Sequence, residues 1–133
     1  MRILVLLWLT WALPLVRCDT ESFREAVVEG DLKVVEEYLA QGGDPNIGGG
    51  GQNDPGETPL HLACIHGRVD VIKALIKAGA AVDARATGPK SLRMTPITWC
   101  AYGAHDNAVG ALLKGGADPN LVVDDEACNK LTG

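Results

Sequence analysis

The chain repeats its own pattern every 37 residues, and this limits its possible folds more than any other feature. Take Thr58 to Asp83 as the reference copy. Moving forward by 37, Thr58-Pro59-Leu60 becomes Thr95-Pro96-Ile97, and Ala63-Cys64 becomes Cys100-Ala101. Val71-Ile72 becomes Ala108-Val109, Leu75-Ile76-Lys77 becomes Leu112-Leu113-Lys114, and Gly79-Ala80 becomes Gly116-Ala117. Moving back by 37, Leu60 maps to Phe23, Ala63 to Ala26, Gly67 to Gly30, Leu75-Ile76 to Tyr38-Leu39 and Gly79 to Gly42. Asp44-Pro45-Asn46 returns as Asp118-Pro119-Asn120, twice the period later. Self-similarity at such a period implies stacked units that share a core, and about three units are needed for stability.

Each unit reads as two short helices. In the reference copy Thr58 is an N-cap type and Pro59 suits the first helical position. Helix one runs from Pro59 to His66, and Gly67 ends it. Helix two runs from Val69 to Ala78, with Val71, Ile72, Leu75 and Ile76 at helical spacing. In the first copy Asp19 or Thr20 caps a helix carrying Phe23, Ala26 and Val27. Asp31 then caps a second one carrying Leu32, Val35, Tyr38 and Leu39. In the third copy Pro96 to Tyr102 and Asp106 to Lys114 repeat the pattern. No segment reads as a strand of a larger sheet, so the fold class is all-α.

Thr58-Pro59-Leu60-His61-Leu62-Ala63 matches the T-P-L-H-x-A signature of ankyrin repeats. From about Asp19 to Asn120 the chain resembles the ankyrin repeat family. The resemblance implies an ankyrin repeat solenoid of three helix-turn-helix repeats, at about 19–52, 53–89 and 90–120, with projecting finger loops. It also implies a module that binds another protein through finger tips and the concave face of the first helices. By position, the family's variable contacts fall at Asp54 and Glu57, at Ser91, Leu92 and Met94, at Ile65 and His66, and at Tyr102 and Gly103. The family's motif histidine, here His61, ties loop backbone together.

The departures are informative. A period of 37 exceeds the family's ~33 and lengthens each connection. The first, Asp44 to Gly56, carries four consecutive glycines. The second, Ala81 to Met94, carries Arg85, Lys90 and Arg93 on an otherwise acidic chain. These could meet an acidic partner, or simply balance the acidic first loop as weak surface charges. Arg93 replaces the glycine at Gly56, and Thr98 replaces His61, so the third turn should differ. The first copy gives up Thr-Pro for Glu21-Ser22 and adds Arg24, Glu25 and Glu29, as suits a terminal cap. Tyr102 is the best candidate contact, since tyrosine is common in binding hot spots; the plainer alternative is a half-exposed aromatic. Trp99, in the place of Leu62, is expected in the core.

The first residues read differently. Met1-Arg2, an apolar run from Ile3 to Val16, and Val16-Arg17-Cys18 have the layout of a secretory signal peptide over 1–18, with cleavage before Asp19. The run is short for a transmembrane helix. An uncleaved anchor through residues 3–16 is the alternative, and a lipid-modified Cys18 is a third reading, disfavoured by Arg17. The expected location is secreted or periplasmic. Cleavage would remove two arginines and no acid, leaving ten basic residues against 17 acidic and a net charge of −7. Such a domain repels nucleic acid and anionic membranes. The charge thus speaks against nucleic acid, the resemblance implies that the partner is another protein, and no membrane contact after cleavage and a monomeric domain are expected. Residues 121–133 form a C-terminal tail that could cover the last repeat's apolar end or stay loose.

Three cysteines would remain in an oxidising compartment: Cys64, Cys100 and Cys128. A redox or metal-linked role is the alternative function. Against a metal, His61, Cys64 and His66 lack a fourth ligand for structural zinc. Against a Cys64–Cys100 disulfide, helices pack 8–10 Å apart between axes and a disulfide needs Cα atoms within about 7 Å. Both are expected to be reduced or only strained into pairing. No metal or other cofactor is expected. No enzyme is expected either: nucleophile-elbow, zincin and phosphate-loop motifs are missing. Cys100 and His105 are five residues apart, on opposite sides of a helix.

Overall fold

Why the described residues form six short helices is visible at their ends. A computed structural model describes residues 19–48, 56–88 and 91–121. The expected signal segment, Cys18, Asp54, Lys90, Cys128 and nearly all of the tail lie outside the described residues. Helix α1 spans Thr20–Glu29, and Asp19 caps it by accepting from the Ser22 N–H at 2.9 Å. Helix α2 spans Leu32–Ala40, capped by Asp31 through the Val34 N–H at 3.3 Å. Helices α3 (Pro59–Ile65) and α5 (Pro96–Tyr102) both begin on proline after threonine. Helices α4 (Val69–Lys77) and α6 (Asp106–Lys114) complete the pairs. Helices α3 and α4 each stop one residue earlier than the sequence predicts, because His66 and Ala78 take the C-cap positions.

Helices of seven to ten residues are too short to hold alone in water. They are held by stacking. The first helices α1, α3 and α5 pack side by side in one layer, and α2, α4 and α6 in a second. The shared core lies between the layers. Phe23, Val27 and Val35 fill it in the first pair, Leu60, Ile72 and Leu75 in the second, and Ile97, Cys100 and Leu112 in the third. At the N-terminal end the Phe23 and Tyr38 rings stack at 3.9 Å between centroids. No strand occurs among the described residues.

Polar contacts repeat in the same register. Arg68 Nε donates to the Val28 carbonyl at 2.9 Å, and His105 Nε2, one period later, donates to the Ile65 carbonyl at 3.1 Å. In the fingers, Asn46 Oδ1 accepts from the Ala81 N–H at 2.7 Å. Asp83 Oδ1 accepts from the Asp118 N–H at 3.0 Å. Asp44 and Asp118 each fold back on the N–H two residues on, at Asn46 and Asn120. Each such bond is worth about 1 kcal/mol net. Together they set one repeat against the next at a fixed offset.

The expectation that helix spacing keeps Cys64 and Cys100 apart does not hold. The two form a disulfide between α3 and α5, with Cα atoms 4.5 Å apart and both residues fully buried. Axis spacing was the wrong measure. With Cα atoms ~2.3 Å from each axis, facing positions on helices ~9 Å apart come within about 4–5 Å. Cys64 faces Cys100, whereas its repeat equivalent, Ala101, is exposed.

Candidate protein-binding face

The outward side of the first-helix layer is built from two ladders that step by one period. Glu25 on α1, Leu62 on α3 and Trp99 on α5 form one; Val28, Ile65 and Tyr102 form the other. Each repeat presents the same two helix positions, so the stack lays them out as parallel rows. Glu25 is exposed, and Val28, Leu62, Ile65 and Trp99 are half-buried. Tyr102 is 82% exposed at the far end, and its ring meets Trp99 edge-on at 6.1 Å. Trp99 packs against the core only in part, and among the described residues its buried Nε1 makes no hydrogen bond. At the near end an open groove of about 380 Å³ is lined by Glu21, Arg24, Glu25, Val28 and Leu62. The face therefore runs from carboxylates on α1 to aromatic rings on α5.

Below this face two side chains fix the fingers. Arg24 Nη1 donates to the Ile47 carbonyl at 3.2 Å and the Glu57 carbonyl at 2.9 Å. His61 lies one period on, and its Nε2 donates to the Met94 carbonyl at 2.9 Å. A carbonyl only accepts, so the ring proton sits on Nε2. Nδ1 then accepts from the Thr58 N–H at 3.1 Å and the Thr58 hydroxyl at 2.8 Å. Burial holds this imidazole's pKa below the ordinary histidine range, outweighing its bonds to loop carbonyls. In the third repeat Thr98 lacks the reach and instead pairs its hydroxyl with that of Thr95 at 3.0 Å.

The residues expected to make contact divide. Ile65 and Tyr102 share the helix face, and His66, exposed, takes the C-cap position that ends α3. Leu92 is 41% exposed and Arg93 is exposed, both at the second finger. Arg85 and Met94 are half-buried. Ser91 is only 2% exposed, and its hydroxyl reaches the Ala86 and Gly88 carbonyls at 2.9 and 2.7 Å. It shapes the finger rather than offering a contact. Glu57 is 9% exposed and contributes its carbonyl to Arg24. The turn before α5 keeps its left-handed form despite Arg93: Gly56 has φ 68°, and Leu92 and Arg93 have φ 53° and 50°. A metal at His61 and Cys64 is overturned by their bonding, since both ring nitrogens and the sulfur are already committed. Glu21, Glu25, Val28 and Leu62 escaped sequence reasoning. Stepping back by one period from Ile65, and by one and then two from Trp99, would have found three of them.

Residues 23–122 match the family model for ankyrin repeats, in three copies. Palmitoyltransferase ZDHHC17 of Danio rerio is 42% identical over 72 residues, 54% of this chain and 11% of that protein. Palmitoyltransferase AKR1 of Kluyveromyces lactis is 34% identical over 113 residues, 84% of this chain and 14% of that protein. The chain thus spans about a ninth to a seventh of the curated relatives it matches. The crystal structure of the human ASB11 ankyrin repeat domain superposes with a TM-score of 0.63 at 29% identity, covering 75% of this chain and 42% of that one. The model match, the six-helix stack and this likeness agree: the chain belongs to the ankyrin repeat family, whose repeats serve as protein–protein interaction modules.

Proposed function

We propose that the chain is an exported, non-enzymatic adaptor that binds another protein through the first-helix face and the second finger. The observation that carries this reading is the solvent-facing ring of Tyr102 beside Trp99, at the end of a row of half-buried apolar side chains. Exposed aromatic surface of this kind marks binding sites. Export is supported by the N-terminal apolar run and by the Cys64–Cys100 bridge, which suits an oxidising compartment. Acidic charge argues against nucleic acid as the partner. The palmitoyltransferase relatives match over a small part of their length, so acyl transfer is not carried over to this chain.

The test is capture from the compartment into which the protein is exported. Tyr102→Ala, and separately a triple change of Arg85, Lys90 and Arg93 to Ala, should weaken recovery of cross-linked partners while far-UV circular dichroism stays unchanged. Equal recovery by wild type and both variants overturns the assigned surface. N-terminal sequencing should begin at Asp19; a chain that retains residues 3–16 overturns release from the membrane.

A further inference from the structure

We infer that the first-helix face takes a short segment of a partner chain that is basic at one end and aromatic or aliphatic at the other, the basic end lying over α1. This rests on the reading of that face as the binding surface, and adds the chemistry and orientation of what it binds. The argument is charge complementarity along the ladder. The α1 end presents Glu21 and Glu25, both exposed and both lining the groove with Val28 and Leu62. Arg24 lines the same groove, but its Nη1 is directed at the Ile47 and Glu57 carbonyls. Two repeat steps away the equivalent of Glu25 is Trp99, beside the exposed Tyr102. The apolar surface is uncovered at that end, and two carboxylates outnumber one guanidinium at the other. A uniformly apolar ligand would leave carboxylates desolvated against it, which is costly. A uniformly basic one would leave the aromatic end unused.

The length follows from the packing. Neighbouring helices lie 8–10 Å apart, so two steps from Glu25 to Trp99 cover roughly 20 Å. An extended segment rises ~3.3 Å per residue and needs about six residues to cover that span. A helix rises ~1.5 Å per residue and needs about thirteen.

The test selects peptides from a displayed library of random 16-residue sequences on the full chain, purified from an exporting host with the Cys64–Cys100 bridge intact. Enriched sequences should carry lysine or arginine clustered toward one end and aromatic or large aliphatic residues toward the other. A selected peptide should lose about tenfold in affinity to the Glu21→Gln/Glu25→Gln double variant, as expected for two partly solvated charge pairs. It should lose about thirtyfold to Tyr102→Ala, a hot-spot loss. It should be unaffected by Asp70→Asn/Asp106→Asn, which removes two exposed acids from the other layer. Neutral apolar peptides sensitive to Tyr102→Ala would overturn the basic chemistry while leaving the surface assignment standing. Peptides insensitive to Tyr102→Ala, or no enrichment at all, would overturn both. Equal losses in the two acid-removing variants would mark the attraction as unspecific and overturn the inference.

Discussion

Arg24 and His61, one period apart, perform the same task with different chemistry. Each sends a donor from a first helix to the carbonyl of the residue 33 positions on, Glu57 and Met94, each of which immediately precedes a capping threonine. Arginine has the longer arm and also reaches Ile47. Histidine is shorter, but its second nitrogen closes the turn at its own helix start by accepting from Thr58. The N-terminal repeat has no capping Thr-Pro for a histidine to close. There the fork-shaped guanidinium, with more donors, serves the finger.

Arg24→Met keeps the stem and removes the donors. It should lower stability by about 2 kcal/mol, the range for hydrogen bonds from charged donors. Urea unfolding reads this as a lower midpoint with an unchanged slope. An unchanged midpoint would mean that the two carbonyls are as well served by water.

Helix positions were legible in the sequence because apolar spacing, threonine-proline starts and glycine stops are local signals, and Thr58 to Gly67 holds all of them. Arg24 was hidden because the motif is written in residue types, and an arginine in the histidine's place reads as surface charge. The disulfide was hidden because register alone pairs Cys64 with Ala101, whereas the offset between repeats brings it to Cys100. The rows of the binding face were partly legible. The same period that locates Ile65 and Tyr102 also leads to Val28.

The Cys64–Cys100 bridge closes a loop of 36 residues' separation. Chain-entropy reasoning assigns such a loop about 4 kcal/mol, less where the reduced unfolded chain keeps structure. Reducing agent, or Cys64→Ala/Cys100→Ala, should therefore shift the urea midpoint down by a similar amount, and the double variant should no longer respond to reductant. Alkylation of the unreduced, unfolded protein should leave both of these cysteines unmodified by mass. Alkylation of both without prior reduction would refute the bridge.

Ala104 occupies the left-handed position that closes a first helix, with φ 54°, where the other repeats use Gly30 and Gly67 at 84° and 62°. A side chain there costs about 1 kcal/mol. Ala104 is exposed, so Ala104→Gly loses no packing and should raise the thermal midpoint by a few degrees. The reverse change at Gly30 should do the opposite and more. Its added Cβ would fall 2.9 Å from Arg68 Cδ, disturbing the bond from Arg68 to Val28. Equal stability of Ala104→Gly and wild type would place the strain elsewhere.

His61 makes folding depend on pH in a window that no carboxylate with a lowered pKa shares. Its folded pKa lies below the ordinary value of 6.5, because burial disfavours the charged ring. A second proton on Nδ1 would also oppose the Thr58 N–H. The unfolded chain therefore binds more protons than the folded one just below that value, and stability rises with pH there. The contribution is full above about pH 6.5 and is lost as pH falls toward the folded pKa. Asp19, whose pKa is lowered by its bonds to Ser22, acts only below its ordinary 3.8. Unfolding free energy measured at pH 7 and pH 5 should fall for wild type. In His61→Gln, which keeps a polar side chain but cannot titrate, that fall should shrink while stability at pH 7 is already lower. The same drop in both proteins would assign the titration to another group.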